Sequence, residues 1–137
     1  GGGVDYAMKL YRTEYQPSVR HPKPTGNVCV WALAAETDAE AERMFQSRAH
    51  WKLLRNRGGL APLQTPETAA AYPYSESDRA FINDLQAHAL IGTPDRVGDM
   101  LRLLAEQAQV EEIVVLTWTH DQRDRRKSYE LLAREFA

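Results

Sequence analysis

The sequence predicts an α/β fold in which two parallel strands carry flanking helices, and three observations point there. The run NVCVWALAA, Asn27 to Ala35, is nearly continuous in apolar residues, as in a strand covered on both faces. A second run, EEIVVLTW from Glu111 to Trp118, is rich in β-branched residues and reads as another strand. Segments with helical apolar spacing separate and follow them, and parallel strands need such crossovers.

Each element can be justified in chain order. Ala7, Leu10, Tyr11 and Tyr15 fall at helical spacing, and Pro17 stops the pattern, so residues 1–26 read as a helix and an extended connection carrying Pro22, Pro24 and Gly26. Residues 27–59 hold the first strand and a helix. Thr37 with Glu40 forms a capping-box pattern at the helix start, and Ala41, Met44 and Phe45 mark its buried stripe. Gly58 and Gly59 are placed to end it, with Lys52, Arg55 and Arg57 near its negative dipole end. Residues 60–90 are the least regular: three prolines interrupt them, and only Phe81, Ile82, Leu85 and Ala89 resume a helical stripe. An insertion of that length is either a functional loop or an ordinary surface excursion.

Residues 91–137 are the clearest. Thr93 as N-cap, Pro94 at the first helical position and Asp95 in the first turn define a helix start. Val97, Met100, Leu101, Leu104 and Ala108 then give that helix one core face. After the second strand, Asp121 or Asp124 caps a last helix whose expected buried face is Tyr129, Leu132, Ala133 and Phe136.

Composition excludes several function classes. Hydrophobic and charged contents of 43% and 26% are those of a globular domain, and 17 basic against 19 acidic side chains leave a net charge of -2. Such a charge draws neither nucleic acid nor an anionic membrane, and favours a small-molecule or protein partner. No apolar stretch approaches the roughly 20 residues needed to span a bilayer. The single cysteine, Cys29, lies in the apolar run, where it reads as a buried, unreactive thiol suited to a reducing cytoplasm. His21, His50, His88 and His120 show no metal-ligand spacing, and no Gly-rich phosphate loop is present.

Two strands do not make a doubly covered sheet, because both outer edges would be apolar and unpaired. Either the chain completes its sheet with copies of itself or another chain, as a non-catalytic module would, or it is the end of a longer α/β protein. The opening GGGVDYAMKL, without an initiator methionine, favours the second.

Four segments then carry a resemblance: YRTEYQPS (11–18), ALAAETDAEAERMF (32–45), IGTPDRVGDMLRLLAEQ (91–107) and EEIVVLTWTHDQRDRRKSYELLA (111–133). In this order they resemble the carboxyl end of bacterial luciferase-like, flavin-dependent monooxygenases, with Tyr15 where that family usually has phenylalanine. The resemblance implies that residues 1–137 are the carboxyl-terminal part of a (β/α)8 TIM barrel, with strands seven and eight at 27–35 and 111–118. It also implies reduced FMN as cofactor, a separate flavin reductase, a small organic substrate, a homo-oligomer, and a segment inactive alone. Leu60 to Tyr74 would stand where the family carries a mobile loop over the flavin.

Barrel active sites lie at the carboxyl ends of strands, which nominates Ala35, Glu36 and Thr37 after the first and Thr117, Trp118, Thr119 and His120 after the second. Glu36 and Thr37 read as capping residues. Trp118, Thr119 and His120 are the candidate cofactor contacts, with Trp118 either beside a flavin ring or covering the rim. No catalytic residue and no metal ligand is identified. In RDRRK, Arg123 to Lys127, cations at a helix start are offset by Asp121 and Asp124 or by a bound anion. Arg125, Ser128 and Tyr129 match the family pattern as anchors of the last helix.

Overall fold

The computed structural model describes residues 2–137. The elements are α1 (Gly2–Glu14), β1 (Asn27–Ala34), α2 (Asp38–Asn56), α3 (Pro66–Ala70), α4 (Glu76–Ala87), β2 (Leu90–Gly92), α5 (Pro94–Ala108), β3 (Glu112–Leu116) and α6 (Gln122–Glu135). The three strands form one parallel sheet in the order β2-β1-β3. Two strands were expected; the third, β2, has only three residues and ends on glycine, too short for any periodicity to announce it.

The central strand is shared between its neighbours by halves. Asn27–Trp31 pair with Glu112–Leu116 of β3, whereas Ala32–Ala34 pair with Leu90–Gly92 of β2. The chain leaves β1 toward β2 and then returns across β1 to β3. Parallel crossovers are almost always right-handed, so reversing their direction puts the connecting helices on opposite faces. The core obeys this rule. Ala32 and Ala34 pack with Val97 and Leu101 of α5 and Leu132 of α6, while Leu33 and Ala35 pack with Met44, Phe45 and Ala49 of α2, Ile82 of α4 and Ile91 of β2. The helices therefore flank the carboxyl half of the sheet on both sides.

The amino half is different. Val28 is buried against Ala108 and Val110, with Val4 and Met8 of α1 closing that side. On the other side Cys29, Val114 and Leu116 are exposed. The thiol expected in the interior thus stands on an open apolar face, because the α2 layer reaches only the carboxyl half of β1.

Two helices present other faces than expected. In α1 the inward residues are Val4 and Met8, while Leu10 and Tyr11 are exposed; the orientation is held by Arg12, whose Nη1 donates to Ala108 O at 2.8 Å, at the carbonyl end of α5. In α6 Leu132 is buried, but Phe136 and Ala133 are exposed, and with Ile113, Val115 and Leu101 they line an open apolar groove of 380 Å³.

Local signals elsewhere act in part as read: among the described residues Thr37 makes only its half of the expected capping box, and Thr93 stands at the N-cap of α5 without a side-chain hydrogen bond. Thr37 Oγ1 accepts from Glu40 N at 3.1 Å, and Gly58 (φ +82°) ends α2, its N–H donating to Arg55 O at 3.0 Å. The stretch 60–90 holds more structure than expected, namely α3 and the whole of α4. α4 starts with a capping box between Ser75 and Asp78. The Asp78 carboxylate is buried, which raises its pKa, but the Ser75 N–H and hydroxyl and the Arg57 guanidinium outweigh this and hold it below the usual aspartate range.

Gly92 makes the turn from β2 into α5 possible. Its φ of +146° lies where side-chain-bearing residues are strained, and an added Cβ would stand 2.7 Å from Asp38 Oδ1. That carboxylate accepts the Thr93 N–H at 3.2 Å and pairs with Arg96, joining the start of α2 to the start of α5. Gly92→Ala should therefore destabilise the chain by about 1–3 kcal/mol in urea unfolding; an unchanged midpoint would show that the turn relaxes freely.

Candidate functional site at the carboxyl ends of the strands

β3 stops at Leu116, opposite Trp31, so the upper edge of β1 loses its backbone partner there. Side chains complete it. Thr117 Oγ1 donates to Ala32 O at 2.7 Å, and the Ala34 N–H donates to Ser128 Oγ of α6 at 2.9 Å. One residue on, the Tyr129 phenol accepts the Thr117 N–H at 2.9 Å. Burial alone would raise the Tyr129 pKa; the Thr117 N–H and the Arg125 guanidinium more than cancel that and lower it. Ser128 and Tyr129 thus anchor α6 to the strand ends, as their pattern suggested.

The loops after β1 and β3 then part, one toward α2 and the other toward α6, and in open α/β sheets such divergence opens a crevice at the carboxyl ends. Three tryptophans gather on that side, the only three in the chain. Trp118, after β3, meets Trp51 of α2 edge-on with ring centroids 5.0 Å apart. Trp31 lies on the same strand face as Cys29 and contacts Phe45 at 6.1 Å. Between them Arg48 of α2 sets its guanidinium carbon 4.1 Å from the Trp31 ring and 5.6 Å from that of Trp118.

The predicted contacts separate here. Trp118 belongs to the aromatic group. Thr119 is buried and donates its hydroxyl to Asp121 O at 2.6 Å, fixing the turn into α6. His120 is exposed and, with Thr119, lines a neighbouring cleft of 320 Å³ whose far wall is Arg43, Thr65 and Glu67. Glu36 pairs with Lys127 at 3.0 Å, and Asp121 with Arg123 at 2.8 Å. The hydrogen bonds from the Arg123 side chain and backbone pull the Asp121 pKa down to about 2, so this part of the basic run is matched by local carboxylates. Among the described residues no three His, Cys, Asp or Glu side chains converge as metal ligands, and no helix is long and apolar enough to cross a membrane.

Sequence reasoning missed Trp31, Arg48 and Trp51. A signal existed for Arg48, which continues the stripe Ala41, Met44, Phe45 at helical spacing and so puts a cation on a core-facing row.

The segment at 65–74 is docked on α2. Ala69 is fully buried, Arg43 pairs with Glu67 at 2.7 Å, and the Tyr74 hydroxyl donates to Ala69 O at 2.7 Å. His50 Nδ1 lies 3.1 Å from that hydroxyl, and with the tyrosine proton on Ala69 the imidazole is the donor.

The chain matches no family model. It is 32% identical over 130 residues to the uncharacterized protein YceB of Bacillus subtilis, covering 95% of this chain and 39% of that protein. To a luciferase-like monooxygenase of Escherichia coli strain K12 it is 28% identical, over 91% of this chain and 37% of the relative. The crystal structure of apo-MsnO8 superposes with a TM-score of 0.82 at 32% identity, covering 97% of this chain and 41% of that one. The chain thus spans about two-fifths of the length of these relatives.

Two outcomes are expected. Ser128→Ala leaves the buried Ala34 N–H without a partner and should cost about 1–3 kcal/mol in urea unfolding; a neutral result would mean that another acceptor takes its place. Burial lowers the His50 pKa, so the unfolded chain binds this proton more readily than the folded one. Its contribution is complete above the ordinary histidine value near 6.5 and fades as pH falls toward the lower folded value. The urea midpoint should drop between pH 7 and 5.5, and His50→Gln should flatten that dependence; equal slopes in both proteins would exclude His50 as its source.

Proposed function

We propose that this chain is the carboxyl-terminal portion of a luciferase-like, flavin-dependent monooxygenase barrel, with β1 and β3 as its seventh and eighth strands. One observation carries the reading: the bare apolar face of Cys29, Val114 and Leu116 leads up to the aromatic group at the carboxyl ends of the same two strands. In a barrel such a face is the inward one, and the carboxyl ends hold the active site. Similarity to the E. coli luciferase-like monooxygenase supports it. On this reading the outer edge of β3 and the lower edge of β1 receive further barrel strands.

The cofactor is reduced FMN delivered by a reductase, and the substrate is a small organic molecule. Bound flavin supplies the oxygen activation, and the protein supplies binding and exclusion of water. The residues present fit such a group. Indole faces suit a flat heteroaromatic ring, and Trp31 Nε1 and Arg48 Nε are buried donors without hydrogen-bond partners. Trp118 closes the ring side, Thr119 holds the loop, and His120 faces the rim cleft. Leu60 to Tyr74 serves as the cover that excludes water, anchored on α2 at Ala69. Residues 1–137 act as one unit of a cytoplasmic homo-oligomer, without turnover until the remaining strands close the site.

Equilibrium dialysis against FMN, aerobically and after anaerobic reduction, tests the reading. Saturable binding that favours the reduced form is the expected result. A chain that shows fixed aromatic circular dichroism yet retains neither form would assign the flavin contacts to the remaining strands and remove Trp118, Thr119 and His120 as cofactor contacts, and a defined dimer without flavin affinity would overturn the reading in favour of a non-catalytic module.

A further inference from the structure

Arg48 has an unusual environment for a cation. It is half-buried, it lies between two indole rings, and among the described residues no carboxylate lies within ion-pair distance of it. Its Nε is sealed from solvent without an acceptor, and so is Nε1 of the Trp31 ring on which it stacks. Buried polar atoms in folded proteins nearly always have partners, so two orphaned donors on stacked groups mark a place where an acceptor is missing. Desolvation with no opposing negative charge draws the guanidinium pKa down to about 10, which still leaves it charged at neutral pH. Five other arginines, Arg43, Arg57, Arg96, Arg102 and Arg123, each meet a carboxylate, and Arg125, whose Nε is also buried without an acceptor, lies beside a single ring, that of Tyr129.

We infer that Arg48, held between Trp31 and Trp118, is an oxyanion-binding residue that takes a phosphate or carboxylate of a ligand seated at the carboxyl ends of β1 and β3. Contact with the two rings limits the freedom of the guanidinium, and its N–H groups suit a planar or tetrahedral anion. The Trp31 N–H adds a donor on the same side of the strand. The two indoles also shield the pair from bulk water, where an exposed arginine would gain little. This inference rests on the flavin reading only for the nature of the ligand, since an oxyanion has two sources there, the cofactor phosphate and a substrate carboxylate.

Because Trp31, Trp51 and Trp118 are the only tryptophans, intrinsic fluorescence reports this site. The chain is titrated with inorganic phosphate, acetate, FMN and riboflavin at constant ionic strength, alongside Arg48→Met and Arg48→Lys, with aromatic circular dichroism confirming that each variant is folded. Phosphate or acetate should change the emission saturably in the wild-type chain, at least tenfold more weakly in Arg48→Met, and to an intermediate degree in Arg48→Lys, which keeps charge but loses the planar fork. FMN binding more tightly than riboflavin only while Arg48 is present assigns the anion to the cofactor. Equal binding of the two flavins, with acetate still dependent on Arg48, assigns it to a substrate. Anion responses that persist without any flavin binding keep the inference and remove the flavin reading. Responses that are absent, or the same in Arg48→Met, overturn the inference, and flavin binding that survives in that variant would leave the flavin reading standing.

Discussion

The pairing of β1 with two different partners along its length governs this structure. β3 takes Asn27–Trp31 and β2 takes Ala32–Ala34 on the opposite edge, so every connection is arranged around one strand of eight residues. Reversing the crossover direction sends α2 and α4 to one face and α5 and α6 to the other. Where both layers are present, Ala32, Leu33 and Ala34 are excluded from water almost completely. Where only one is present, Cys29 and its cross-strand neighbour Val114 are exposed. Burial in this sheet follows from how far each layer extends rather than from the hydrophobicity of the strand itself.

The same pairing creates a problem that polar side chains resolve. Once β3 ends, backbone groups in the upper half of β1 would be buried unpaired, each at a cost of about 1–3 kcal/mol. Thr117 and Ser128 supply the missing donor and acceptor, respectively, and Ala35 N–H reaches Gly92 O at 3.0 Å on the other edge. These bonds tie α6, the β3 loop and the β2 turn to the strand end. They thereby fix the spot from which the two loops diverge, and the aromatic group stands at that divergence. Stability and site geometry depend here on one set of hydrogen bonds.

Within the site the balance is between cation and aromatic rather than between acid and base. Three indoles and an arginine converge where, among the described residues, no carboxylate pairs with that arginine, whereas the neighbouring rim at Asp121, Arg123, Glu36 and Lys127 is locally neutralised. That contrast separates a surface that is electrostatically satisfied from one with donors in reserve. A flat, anionic ligand matches the second and gains nothing from the first.

The sequence by itself determined the helix boundaries with chemical punctuation and the two longer strands, and the family resemblance implied the anchoring role of Ser128 and Tyr129. Thr37 and Gly58 act through hydrogen bonds to near neighbours and Pro94 through its own fixed φ, so local sequence suffices for them. It also pointed to the strand ends and hence to Trp118. Tertiary structure alone decided the existence of β2, whose three residues form a strand only because β1 offers an unpaired edge. It decided which side of α1 and α6 faces inward, since Arg12 and Leu132 orient those helices through residues distant in the chain. The exposure of Cys29 and the meeting of Trp31, Arg48 and Trp118 were settled the same way: residues distant in the chain come together only when crossovers of opposite direction stack α2 against the end of β3.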